Sequence, residues 1–193
     1  MALTGWKYRR SHEITLASGS ATNYTHPIIV KRTTGTATGN VVYVGDKCKT
    51  DFADIRFTDD ELTELDYFIS KTTEEIAIFW ILIPSLSSGD NTIYVYYGNE
   101  DATSNSSAED VFPLFFDTFA SFDSDAWDYE GSVAPDCSDS WMAITSDCGV
   151  VTTKTAYNVG CVEFIVLAST GYDTAIGFRL TSDTNMGGKF IWI

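Results

Sequence analysis

The longest uninterrupted apolar run in this sequence, Ile76 to Pro84, is nine residues long. A membrane helix needs about 20 apolar residues in a row, so the run suits a buried strand and no span is expected. Apolar on both faces, Ile76 to Ile83 has the pattern of a strand in the middle of a sheet. Shorter runs around it alternate. Ser11 to Leu16 sets His12, Ile14 and Leu16 against Glu13 and Thr15, the period of a strand with one wet face. Val41 to Val44 is β-branched and aromatic, as is Thr92 to Tyr97. Aromatic residues make up 14% of the chain and sit mainly among Thr, Val and Ile, so the expected class is all-β.

The connections are harder to place. His26-Pro27 leads into Ile28-Ile29-Val30, and a proline, lacking a backbone donor, is expected only at a strand start or an edge. Thr58-Asp59-Asp60-Glu61 matches a helix capping box, yet the flanks Asp54 to Phe57 and Leu65 to Ile69 alternate like paired strands. The flanks favour a hairpin whose tip is Thr58 to Glu64. Ser87 to Asn91 has the composition of a turn, Thr33 to Asn40 that of a loop, and Gly98 to Asp110 that of a linker or long surface loop. A first unit is therefore expected over residues 5–110 and a second over 111–193, with strands at Val162–Leu167, Thr174–Leu180 and Lys189–Ile193. A sheet edge ending in Phe190-Ile191-Trp192-Ile193 would be apolar and exposed, so a continuation or a cover is expected there.

Twelve Lys and Arg against 27 Asp and Glu leave a net charge of −15, which opposes a phosphate backbone or an anionic lipid surface. Nucleic acid is not an expected partner. The same acids also keep an exported protein soluble, which is their simplest role. Cys48, Cys137, Cys148 and Cys161 lack paired C-x-x-C spacing, and with only His12 and His26 beside them zinc is not expected. A hairpin could join Cys137 to Cys148 across ten residues, one of three complete pairings open to four cysteines. Asn23-Tyr24-Thr25 and Asn105-Ser106-Ser107 are glycosylation triplets of a kind common by chance.

Four motifs stand in order: Gly5-Trp6-Lys7-Tyr8-Arg9-Arg10, Asp54-Ile55-Arg56-Phe57-Thr58-Asp59, Leu65-Asp66-Tyr67-Phe68-Ile69 and Tyr94-Val95-Tyr96-Tyr97-Gly98-Asn99. In these the chain resembles domain of unknown function 2341 (DUF2341). The resemblance implies an antiparallel, jelly-roll-like β-sandwich in large modular exported proteins, with no cofactor and no established catalytic residue. Phe115-Phe116-Asp117-Thr118-Phe119 and Phe122 to Trp127 are similar to the opening of a concanavalin A-like lectin or glucanase domain. That implies a second, partial β unit with a sugar-binding face, in about 80 residues where such domains are longer. Without either family, Trp6, Asp54, Arg56, Tyr67, Trp80 and Tyr97 read as structural residues of strand faces, and Arg56, between apolar neighbours, needs an acid.

A glucanase needs two carboxylates about 5 to 10 Å apart, commonly two or four residues apart on one strand. Glu163 stands alone in Val162 to Leu167, so catalysis is not expected. Sugar binding needs aromatic faces with acids nearby, and Trp127, Tyr129, Trp141 and Trp192 with Asp125, Asp128 and Asp139 supply both residue types. The ligand-binding candidates are Trp127, Trp141, Tyr129 and Asp128; for any one ring taken alone, a place in the core is the simpler reading, and it is their clustering that points to binding. Calcium is the one cofactor considered, with Asp117, Asp123 and Asp125 as ligands beside Asp128 in a short acid-rich loop that lacks the EF-hand glycine and glutamate. The expected role is a non-catalytic, extracellular or cell-surface module that binds polysaccharide or a glycan. The alternative is a structural or assembly module of a surface layer, appendage or virion, whose partners are neighbouring modules.

Overall fold

The computed structural model describes residues 3–112, 117, 119–137 and 148–154, together with the backbone of short strands between 175 and 192. Nearly all of its regular structure is strand. One six-stranded sheet is built on two long partners, β1 (Tyr8–Lys31) and β6 (Ile76–Tyr97), which run antiparallel. The short strands β2 (Val41–Tyr43), β3 (Arg56–Thr58), β4 (Glu64–Leu65) and β5 (Tyr67–Thr72) flank them. β2 lies beside β1 and is parallel to it, which makes the sheet mixed; β3 and β5 pair with the two ends of β6, and β4 extends β3. The expected strand-rich fold is present, and Ile76 to Ile83 is central, with β1 on one side and β5 on the other.

Thr58 to Glu64 is the hairpin tip, with Phe57 opposite Leu65 and Thr58 opposite Glu64. Asp59 stabilises it: its Oδ1 accepts the Thr63 N–H at 2.7 Å, so the residues resembling a helix cap close a strand turn instead. Ser87 to Asn91 behaves differently from expectation. The chain continues through it as one strand, and Leu16 to Ser20 takes four steps on β1 against two on β6 from Gly89 to Ser87. Extra residues on one strand bend the pair. Gly19 (φ 79°) and Gly89 (φ 94°) occupy the left-handed region at the bend. Asn91 fastens it by accepting the Ser87 N–H at 2.8 Å and donating to the carbonyls of Ser87 and Gly89 at 2.8 and 3.0 Å.

The bend has a packing consequence. Phe57 lies opposite Val95, sixteen residues from Phe79 along β6, a separation of about 50 Å in a straight strand. Yet the Phe57 and Phe79 rings meet edge to face at 5.2 Å, and His12 meets His26 at 5.7 Å although they lie at opposite ends of β1. The sheet therefore folds its inner face onto itself. Phe52, Phe57, Tyr67 and Phe79 form the aromatic centre of one apolar cluster with Ile14, Ile28, Val30, Ile81, Ile93 and Val95. Each fully buried side chain of this size contributes about 1.5–3 kcal/mol.

Pro27 sits inside β1, opposite Trp80, and not at a strand start. Its position is nonetheless an edge. Ile29, two residues on, donates its N–H to Asn40 on the β2 side, and β2 pairs only from Ile29 onward, so the missing donor of Pro27 faces no strand.

Gly98 to Asp110 leaves the sheet as a surface segment but is fastened to it. The Ser107 N–H donates to the Tyr67 carbonyl at 2.9 Å, and Ser106 Oγ accepts the Ile69 N–H at 2.9 Å, covering part of the free edge of β5. Ser107 caps the one-turn helix α1 (Ala108–Val111), after which Phe112 packs on Phe68 and Trp80 with ring distances of 6.0 and 6.1 Å. Further on, β7 (Trp127–Gly131) pairs antiparallel with β8 (Cys148–Thr153).

By contacts the chain divides into Met1–Lys154 and Thr155–Ile193. In the latter, β9 (Ala175–Phe178) pairs with β12 (Lys189–Trp192), enclosing β10 (Thr181–Ser182) and β11 (Asn185–Met186). Strands thus lie within the expected spans Thr174–Leu180 and Lys189–Ile193, over Ala175–Phe178 and Lys189–Trp192, while Val162–Leu167 lies outside the described residues. Among the described residues no helix is long and apolar enough to cross a membrane.

Candidate functional site

The four motifs converge on one buried knot. Asp54, only 1% exposed, lies just before β3. Its Oδ1 accepts the Lys49 N–H at 2.9 Å, and its Oδ2 accepts the N–H groups of Gly98 and Asn99 at 2.7 and 3.2 Å. Its carbonyl accepts the Trp6 indole N–H at 2.6 Å. One residue thereby ties the first motif to the last. Arg56, 3% exposed, finds the acid its position requires: its Nε lies 3.2 Å from Glu64 Oε1 across the hairpin. Its remaining donors reach Tyr67 Oη at 2.9 Å, the Ala53 and Ile55 carbonyls, and the Thr103 carbonyl of the fastened segment. The Trp6 ring covers the guanidinium at 5.3 Å, and Tyr67 Oη in turn accepts the Asn105 N–H at 2.9 Å.

This arrangement satisfies the buried polar groups from inside the fold, as a scaffold does. Gly98 is required in it, with φ at +85° and an added Cβ placed 2.7 Å from the Tyr8 ring. The motifs were legible in the sequence; that Gly98 and Asn99 serve through their backbone N–H groups was not.

Cys48 is buried beside the knot as a free thiol. Burial, and then the negative charge of Asp54, push it up to about 11 from 9.0. Thiolate is then about a hundredfold scarcer in the folded chain near pH 8. Iodoacetamide should accordingly spare Cys48 in the native protein and label it in urea, read by peptide mass mapping. Equal labelling rates in both conditions would show that the site is open. Cys137 is also a buried free thiol; the side chain of Cys148 and all of Cys161 lie outside the described residues.

The expected ligand and metal residues occupy a second, smaller arrangement. Trp127 and Tyr129 share one face of β7, while Asp128, between them, belongs to the opposite face by strand alternation and is exposed. The Trp127 indole N–H donates to Asp117 Oδ2 at 2.6 Å, and its ring meets Phe119 at 5.7 Å. Tyr129 packs edge to face on Phe122 at 5.5 Å. Both rings are half-buried and held by neighbours. Asp117 Oδ1 accepts the Phe119 N–H at 2.7 Å and Asp123 Oδ1 the Asp125 N–H at 2.9 Å, so these acids shape turns, and Asp125 is exposed. Among the described residues no three of His, Cys, Asp and Glu group as metal ligands. Trp141 and Asp139 lie outside the described residues, as does Glu163.

Comparison with known families agrees with the first resemblance. Residues 51–130 match "Domain of unknown function (DUF2341)", a stretch holding three of the four motifs. The match runs through Phe122 to Trp127, and nothing shows a concanavalin A-like domain following. No curated protein and no solved structure matches the chain.

Proposed function

We propose that this chain is a non-catalytic carbohydrate-binding module of an exported, modular surface protein. The observation that carries the reading is the Trp127–Tyr129 face of β7. Two large rings lie side by side on a short ribbon, half-exposed, and Asp117 fixes the orientation of one of them. A pyranose stacks its apolar face on such a platform, and a fixed ring loses little entropy on doing so. One stacked ring is worth about 1 kcal/mol beyond its buried area, so a single site is weak and gains from repetition along a multi-module protein.

Calorimetric titration of polysaccharides into the 193-residue chain tests this. Trp127→Ala should lose most of the binding while keeping its thermal midpoint, and Trp141→Ala probes the other tryptophan of the expected face. A parent that binds while both variants bind equally well would move the site elsewhere. If the parent binds no glycan, the assembly-module reading replaces this one. It has its own support: the motif residues serve to tie chain segments together, as a load-carrying spacer requires.

A further inference from the structure

Until β2 joins it at Ile29, β1 has β6 on one side and, among the described residues, no strand on the other. Its first part, Tyr8 to Leu16, is therefore an open edge, a row of backbone donors and acceptors without a sheet partner. Arg9, Ser11, Glu13 and Thr15 share the outer face of this edge, while Tyr8, Arg10, His12 and Ile14 share the inner one. All four outer residues are exposed. The Arg9 guanidinium lies over the Tyr94 ring at 4.6 Å and donates through Nη1 to Tyr96 Oη at 3.4 Å, which commits one of its N–H groups. Glu13 belongs to neither ion pair of the described residues, Lys7–Glu100 or Arg56–Glu64.

We infer that this edge pairs antiparallel with the same edge of a second copy, in the register that sets Ser11 opposite Ser11. Charges commonly keep an open edge from pairing, so their order along the strand decides what the edge can take. A two-fold pairing that carries each face of the sheet on into the second copy must be centred on one residue, because a slip of one step exchanges the faces. Centred on Arg9, Arg10 or Glu13, it sets like charges directly opposite each other, which opposes pairing. Centred on His12, it leaves Arg9 opposite Thr15 and Glu13 opposite Ser11, with no charge matched. Centred on Ser11, it places Arg9 opposite Glu13 of the second copy, and symmetry makes that pair twice. On the inner face the same register sets Tyr8 opposite Ile14, and Arg10 opposite His12, whose burial favours its neutral form. The paired stretch, Tyr8 to Ile14, has the length of an ordinary strand. It uses no residue of the Trp127 face, so carbohydrate binding and pairing stand or fall separately.

Sedimentation velocity of the whole chain over a series of concentrations reads the pairing. Salt at about 0.1 M screens the repulsion between two chains of net charge −15 beyond contact distance. The parent should pass from monomer toward dimer as its concentration rises. Arg9→Glu sets Glu against Glu at both symmetric positions, Glu13→Arg sets Arg against Arg, and each should weaken the dimer about tenfold. Mixed in equal amounts the two variants should recover it, since every opposed pair of the mixed dimer again joins Arg to Glu; mixing would not repair a damaged fold. The register is read separately with Ser11→Cys. Residues opposite each other in an antiparallel pair have Cα atoms about 4.5–5.5 Å apart, within disulfide range. Oxidation should link two copies of Ser11→Cys well beyond the parent's level, and should not do so for Thr15→Cys. Thr15 is exposed on the same strand, yet in this register it lies eight residues, about 27 Å, from its counterpart. A parent that stays monomeric overturns the proposal, as does a dimer that neither charge substitution weakens. A mixture as weak as its components, or Ser11→Cys linking no more readily than Thr15→Cys, also overturns it.

Discussion

Replacing Asp54 by alanine should cost the fold about 3–5 kcal/mol, read as a lower midpoint in urea with an unchanged slope. The substitution leaves three backbone N–H groups, of Lys49, Gly98 and Asn99, without their acceptor, in a region where Gly98 is buried. A buried donor left unpaired costs about 1–3 kcal/mol, and more where water cannot enter. Asp54→Asn should fall between parent and alanine. An amide oxygen can serve Gly98 and Asn99, but its NH₂ then faces the Lys49 N–H, donor against donor. Loss of the carboxylate also frees the start of the Gly98–Ser107 segment, so amide exchange should quicken at Asn105 and Ser107, whose N–H groups bond Tyr67. If Asp54→Ala unfolds at the parent's midpoint, the four motifs are not joined through this carboxylate.

That knot was only half legible in the sequence, because its residues announce their type and not their partners. Arg56 between Ile55 and Phe57 demanded an acid by burial alone, and Glu64 supplies it across a hairpin that the alternating flanks had outlined. Local pattern sufficed there, since the partners are eight residues apart. The attachment of Thr103 and Ser107 was not legible, because Arg56 and Tyr67 lie tens of residues away and Ser, Thr and Asn look the same in a free linker as in a fastened one.

The bend at Ser87 to Asn91 failed for a related reason. Gly, Asp and Asn permit a left-handed backbone in a chain reversal and in a strand bend alike. What separates the two is the count on the opposite strand, where Leu16 to Ser20 supplies extra residues, and that pairing is a tertiary fact. Pro27 likewise needed the starting point of β2 before its edge could be recognised.

Acid should destabilise this protein through the pair of histidines that the bend brings together. His12 and His26 are 6% and 8% exposed, their rings lie 5.7 Å apart, and neither nitrogen of His26 has a hydrogen-bond partner. Tyr24 packs on His26 at 6.0 Å, and the residues opposite the two histidines on β6, Ile81 and Ile93, are apolar. Burial first, and then the nearby His12, hold His26 down to about 4 from 6.5; burial also lowers His12, against the opposing pull of Glu13. The unfolded chain therefore takes up protons below about pH 6.5, while folded His26 resists until about pH 4. Stability is complete above the upper value, falls as the pH drops through that window, and stops responding to this group below the lower one. At about 1.4 kcal/mol per pH unit the loss from His26 is bounded near 3 kcal/mol. His26→Phe keeps a ring against His12 and Tyr24 and removes both unpaired nitrogens. It should match or exceed the parent's stability at pH 7.5 and show a shallower decline from pH 6.5 to 4. The carboxylates titrate in both proteins, so the difference between the two urea curves isolates the histidine. A variant whose stability falls as steeply with acid as the parent's would place the acid sensitivity in the carboxylates and not at the bend's histidine contact.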